Sequence, residues 1–220
     1  MGSRMTSINT TEQADIREML VVHRVFRREF AVLPDYVRGV PEGDHERRKI
    51  VADHARLVLD GLHFHHEGED AELWPLLATR VESSAELTKR MEAQHSELAT
   101  LVAEAERLLP TWDTSTAEEL AQVLDAINAA VLTHLAEEEA EILPLVAEHI
   151  TPAEWARLGE HARRAMRPNQ LPLMFGAVLE DCDADERTLM LAGLPLPLRL
   201  LVKPVIEPRY RRYISKVRAR

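Results

Sequence analysis

The chain predicts an all-α protein: an up-down-up-down four-helix bundle with additional C-terminal helices. Three observations carry this expectation. Glycine is scarce, 8 of 220 residues, while alanine, leucine and glutamate abound, a balance that favours helix. Four long segments place apolar residues three and four apart, the spacing of one helical face. The second pair of segments repeats the first: His23 to His95 is 72 residues, and His65 to His134 is 69. A repeat made of two helices closes most simply into a bundle of four.

The first helix is expected from about Thr11 to Leu33, with Ile16, Leu20, His23, Phe26 and Phe30 on one face and Pro34 as its stop. The turn-like Pro41-Glu42-Gly43-Asp44 leads into a second helix from about His45 to Pro75. A capping box, Ser83-Ser84-Ala85-Glu86, opens the third, which turns Leu87, Met91, His95, Leu98 and Val102 inward and ends before Pro110. Another, Thr116-Ala117-Glu118-Glu119, opens the fourth, with Leu120, Leu124, Ile127, Val131 and His134 inward. Pro75 and Pro144 end or kink the second and fourth helices. Residues 11–150 are thus the bundle, and 151–220 a helical extension with a basic tail. The extension opens on a third box, Thr151-Pro152-Ala153-Glu154, with a helix to about Met166. Beyond Arg167 it reads as irregular and proline-punctuated, with a short helix after Asp183.

A thirteen-residue pattern occurs twice, from His65 to Leu77 and from His134 to Val146. Both copies carry His, then Glu at +4, Ala at +6, Glu at +7, Pro at +10 and Leu at +11. Positions i and i+4 share a helical face, so His65 with Glu69, and His134 with Glu138, each aim an imidazole and a carboxylate at one point. Heights along the bundle agree. His23 and His95 lie about 12 and 11 residues into their helices, while His65 and His134 each lie 10 before their proline. At ~1.5 Å per residue, all four sit roughly 15–18 Å from the same end, in one layer. A carboxylate buried there without a partner costs several kcal/mol. Two carboxylates and four imidazoles in an apolar layer therefore require cations. Two ions sharing the carboxylates use all six groups and leave positions open. Mixed imidazole and carboxylate ligation suits iron best, with manganese or zinc as lesser fits.

These residues resemble the hemerythrin-like (HHE cation-binding) family, over about residues 11–150. The signature is a His on the first helix, His-x-x-x-Glu on the second, His on the third and His-x-x-x-Glu on the fourth, each motif followed by Pro. His23, His65/Glu69, His95 and His134/Glu138 supply it. The resemblance implies two iron ions bridged by Glu69, Glu138 and an oxo or hydroxo group, with His23 and His65 on one iron and His95 and His134 on the other. Oxygen carriers of the family have a second His four residues after that of the third helix, where this chain has Ala99. The difference opens a coordination position and weakens the case for simple oxygen carriage. His66 stands where some members have a further ligand, and it joins the candidates as a ligand of the second iron. Its counterpart on the fourth helix is Leu135, so the irons should be unequal, with the open position on the one bound by His23 and His65.

The expected function is reaction with dioxygen or a reduced form of it, led by decomposition of hydrogen peroxide in oxidative-stress defence. One alternative is a sensor of oxygen, nitric oxide or iron. Another is an oxygen-activating enzyme acting on a small organic substrate, with an apolar pocket walled around Leu171 to Phe175.

Other polar residues read differently. His63, Glu67 and Asp70 fall on another face and read as solvated. His54, three turns before His65 and ~16 Å away along the axis, reads as a polar residue of the bundle end. Glu72 and Glu141 recur in both copies, as holders of a ligand imidazole or as surface charge. Glu92-Ala93-Gln94-His95 matches the Glu-x-x-His element of another di-iron class, but the fourth helix lacks a second one, so the match reads as incidental. His149 and His161 read as exposed. Cys182, among Glu180, Asp181 and Asp183, should be a poor thiolate.

The net charge of −10 argues against nucleic acid as a partner. A single cysteine, no apolar run of ~18–20 residues and no apolar signal core point to a cytoplasmic chain without a membrane span. From Arg199 onward, eight Arg or Lys face one Glu. That tail should lie on the acidic bundle or a second subunit, or dock to an acidic partner, anionic lipid or nucleic acid. Its prolines argue against one continuous helix.

Overall fold

The computed structural model describes residues 13–219, and no strand occurs among them. The expected helix start at Thr11 lies outside the described residues. Helix α1 spans Arg17–Arg38 and runs straight through Pro34. The expected stop fails because Phe30, Leu33, Pro34 and Val37 are all buried, and that packing outweighs the ~3 kcal/mol cost of an interior proline. Gly43, at φ 78°, makes the turn that follows. Asp44 then caps α2, His45–Gly68, by accepting a 2.8 Å bond from the Arg47 N–H.

Neither Pro75 nor Pro144 ends its helix. Instead α2 widens into a π turn, Glu69–Leu73, and continues as α3, Trp74–Arg80. Helix α4 spans Ala85–Leu108, and α5, Ala117–Glu137, widens likewise at Glu138–Ile142 before α6, Leu143–His149. A proline here has no N–H for the carbonyl four residues back, and its ring would strike that oxygen. The wider turn removes the clash: the N–H of Trp74 bonds to Glu69 O and that of Leu143 to Glu138 O.

The side chain of Ser83 lies outside the described ones, and Ser84, the N-cap of α4, makes no side-chain cap bond. Thr116 does not cap α5; its Oγ1 accepts the Asp113 N–H at 3.0 Å instead. The box at Thr151 is present in both directions.

Helix α1 packs on α2 and α5, and α4 on the same two, closing a ring of four. The interior is layered. One apolar cluster, including Phe30, Leu59, Leu62, Leu98, Leu124 and Val131, fills one end. A second, including Met19, Leu73, Trp74, Met91, Ile142 and Val146, fills the other. The predicted polar residues lie between them.

The extension is helical rather than irregular. Helix α7 spans Pro152–Ala165 and lies along α2. Then come α8, Leu171–Asp181; α9, Ala184–Ala192; α10, Leu196–Leu201; a third π turn, Val202–Ile206; and α11, Glu207–Arg218. The run from α10 to α11 is unbroken, contrary to expectation. Pro197 and Pro208 occupy first-turn positions, where no N–H is needed, and Pro204 sits in the widened turn. A third apolar cluster joins Val21 and Val25 of α1 to Ala177, Val178, Tyr210, Ile214 and Val217. At Gly176 a Cβ would stand 2.4 Å from Tyr210, so α8 and α11 cross almost backbone to backbone.

His54 is buried, not a polar residue of the bundle end. Its Nε2 lies 3.1 Å from Glu29 Oε2, and its Nδ1 lies 2.8 Å from the Tyr213 hydroxyl. A carboxylate only accepts, so Nε2–H donates to Glu29 and Nδ1 accepts from Tyr213. Burial alone would raise the Glu29 carboxyl, but His54 and Arg28 hold it below its ordinary value. The basic tail meets the bundle through apolar and aromatic groups, not charge. Arg218 pairs with Glu180 of α8, while Arg199, Lys203, Arg209, Arg211, Arg212 and Lys216 have no carboxylate within 4.0 Å among the described residues.

Candidate metal centre

All seven residues singled out as ligands meet in the polar layer. Ligand atoms of His23, His65, Glu69 and Glu138 lie within 4.8 Å of one another, and so do those of His66, Glu69, His95 and His134. Glu69 belongs to both sets. Glu138 also faces both ways, with Oε2 3.3 Å from His23 Nε2 and 3.7 Å from His134 Nε2. Glu69 Oε1 is 3.2 Å from His65 Nε2, and Oε2 is 3.5 Å from His95 Nε2. All seven side chains are buried. Both carboxylates sit at the first position of a π turn, a distortion often found at functional sites.

The unexpected residues are those that hold the imidazoles. Glu139 accepts from His23 Nδ1 at 2.9 Å, and Asp70 from His95 Nδ1 at 2.8 Å. Both acids stand at +5 from the motif histidine, so each helix bearing a motif holds the lone histidine of a neighbour. Asp70 is therefore not simply solvated. Its Oδ1 also takes the Trp74 Nε1–H at 2.8 Å, and Arg27 bonds Glu139 at 2.6 Å. Gln94 Oε1 accepts from His134 Nδ1 at 3.0 Å. The pattern of identical residues missed this, because aspartate at one +5 position and glutamate at the other differ as letters but match as acceptors. Glu72 and Glu141 hold no ligand; they face Arg157 and Arg90. His63 is exposed, Glu67 lies at the surface 3.6 Å from His161, and His149 and His161 are half-buried away from the ligand sets.

These bonds fix the tautomers. With Nδ1 protonated on His23, His95 and His134, each Nε2 carries a lone pair directed inward. His95 and His134 bring those nitrogens within 3.3 Å of each other. His23 Nε2 faces a carboxylate. Nε2 of His23, His65 and His66 and both oxygens of Glu69 and Glu138 are buried without a hydrogen-bond partner. Electron pairs converging in an apolar layer repel unless a cation stands among them. Titration tells the same story. Burial, then neighbouring histidines, hold His65 and His66 well below the ordinary range. Burial lowers His134 to about 4. Burial opposes charge on His23, yet Glu138 and Glu139 outweigh it and raise its pKa. Burial and the adjacent Glu138 push Glu69 well up, since two such carboxylates cannot both ionise unassisted. The donor set fits a pair of divalent cations.

The model of the hemerythrin HHE cation-binding domain matches residues 14–146. The chain belongs to that family. Among curated proteins and solved structures, none matches it. In this HHE chain, Leu135 fills with buried hydrocarbon the place that His66 fills with a buried imidazole, so the site's two halves differ. Ala99, at the position of the oxygen carriers' extra His, is exposed, while His66 brings a ring nitrogen to the set of His95 and His134 from α2. No helix among the described residues is long and apolar enough to cross a membrane. Burial, followed by Glu186, raises the Cys182 thiol to about 11, which leaves it inert as a nucleophile.

Proposed function

We propose that residues 11–150 hold two iron ions and use them to decompose hydrogen peroxide, with residues 151–220 as a packed extension. The observation behind this reading is the two overlapping donor sets that share Glu69, with their inward atoms otherwise unpartnered. His23, His65, Glu69 and Glu138 hold one ion; His66, Glu69, His95 and His134 hold the other. A bound iron pair supplies two one-electron steps and Lewis acidity at one place.

The chain's own residues do the rest. Glu139, Asp70 and Gln94 keep the protons on Nδ1 and leave Nε2 basic. The apolar clusters on either side exclude water. The half holding His23 and His65 has fewer imidazoles and is the half open to substrate. Beside it, Phe26 packs on the His65 ring at 5.2 Å between centroids, and Met174 of α8 closes over Gly61.

Oxygen evolution from hydrogen peroxide by the iron-loaded protein tests the reading. Evolution should be present in the native chain and lost in His65→Ala and Glu138→Ala. Equal evolution in all three overturns it. His66→Ala should lower the iron content per chain.

A further inference from the structure

The only large aliphatic side chains more than two-fifths exposed outside α5, among the described residues, crowd into ten residues of the extension. Leu196, Leu198, Leu200, Leu201 and Val205 are 64, 44, 68, 44 and 47% exposed. Scattered exposed leucines are ordinary, but a contiguous group marks a surface that something covers. Helix α10 shows every residue to solvent, and Val202 is the first of the run to bury itself. Leu196 and Leu198 stand two residues apart, so they emerge on opposite sides of the helix, with Leu200 and Leu201 repeating the two sides one turn on. The result is an apolar projection rather than a stripe.

Its charge is of one sign. From Thr188 to Ile206 there is no acidic residue. Arg199 and Lys203 stand on the projection, and Arg209, Arg211, Arg212 and Lys216 follow on α11. All six are exposed, and none has a carboxylate within 4.0 Å among the described residues. Arg199 closes the preceding turn by donating to the carbonyls of Ala192 at 3.0 Å and Leu194 at 3.4 Å, which fixes how the projection leaves the body.

From these features we infer that the projection is a docking element for an anionic lipid surface. A second copy meeting this patch with its own would set Arg199 and Lys203 against their equivalents, like charge against like. It would also cover one side of a helix that is apolar on two. A bilayer interface meets both requirements: acyl chains surround the leucines, and anionic headgroups meet the cations. The remainder of the chain is acidic and stays turned to solvent, so contact is confined to this end and weakens with salt.

Co-sedimentation of the full chain with vesicles tests the inference, using equal parts phosphatidylglycerol and phosphatidylcholine against phosphatidylcholine alone. The native protein should sediment with the anionic vesicles only. Leu198→Ser/Leu200→Ser/Leu201→Ser and, separately, Arg199→Glu/Lys203→Glu should each weaken binding at least roughly tenfold. All five side chains are exposed, so both variants should keep the native helical circular dichroism. The inference is overturned by an absence of anionic-vesicle binding, by equal binding of the serine variant, or by a native dimer that the serine variant dissolves while vesicles bind neither.

Discussion

Glu139 and Asp70 show how two carboxylates outside the candidate ligand sets decide what the histidines can do. Each accepts the Nδ1 proton of a histidine from a neighbouring helix, so the opposite nitrogen keeps its lone pair for a cation. Removing either acceptor frees the ring to turn over or to protonate. Asp70→Ala and Glu139→Ala should each lower iron affinity about 10–100-fold, as outer partners of metal ligands do elsewhere. Competition with a chelator reads the effect. The metal-free proteins should melt close to the native one, because both acids are partly exposed. An unchanged affinity would mean that packing alone orients the rings. Of the seven candidate ligands, His65, Glu69, His134 and Glu138 were legible because i,i+4 spacing and a repeated letter survive without coordinates, His23 and His95 through their height on the apolar faces, and His66 only through the family resemblance. Their holders were not, since they lie one residue beyond the face that a regular helix presents, and the bond they make is to another helix.

Prolines mislead most at the scale of the element. Pro34 reads as a stop and Pro75 and Pro144 as stops or kinks, yet α1 passes through the first, and widened turns absorb the other two. A lone sequence shows the missing N–H but not the packing that makes the helix worth continuing. The extension was underread for the same reason, its prolines falling in first turns and in a π turn. Its attachment can be tested at two points. Gly176→Ala places a methyl 2.4 Å from the Tyr210 Cβ, near the root of that side chain, where yielding requires the helices to part. The substitution should destabilise the extension by about 1–3 kcal/mol and speed proteolysis within α11 before the bundle is cut. Glu29 supplies the second point, joining α1 to α2 through His54 and, by way of Tyr213, to α11. Its folded pKa lies below the ordinary value, so its contribution is full above the unfolded pKa of about 4.3 and fades as pH falls through the lowered folded value. Glu29→Gln should cost about 2 kcal/mol at neutral pH, and its deficit against the native protein should shrink in denaturant melts below about pH 4.3. A deficit that is the same at every pH would mean that the charge of Glu29 plays no part.

For the whole molecule, the polar layer divides one core into two. Apolar clusters of buried side chains lie above and below, but neither reaches across the layer. The fold class was legible because periodicity and repetition report packing directly. The division of the core was legible only as a height argument, which placed four histidines at one level without showing what joins them. The geometry adds that most of the layer's inward atoms have no protein partner. Metal should then be a structural member of the bundle as well as a reagent. Without it, Glu69 has to take up a proton, and the facing lone pairs of His95 and His134 press the helices apart. With iron at about a thousand times its dissociation constant, linkage contributes roughly 4 kcal/mol. At about 2–4 °C per kcal/mol for a chain of this size, removing the metal should lower the melting temperature by about 8–16 °C. Hydrogen exchange should locate the loss. Amides of the two π turns and the adjoining ends of α2 and α5 should open first, because those segments carry the ligands from both motif copies. Those of α8 and α11, which pack on α1 through their own apolar cluster, should hold longer. Exchange that rises evenly over the whole chain, or a melting temperature indifferent to iron, would show that the layer is held by something other than the ions.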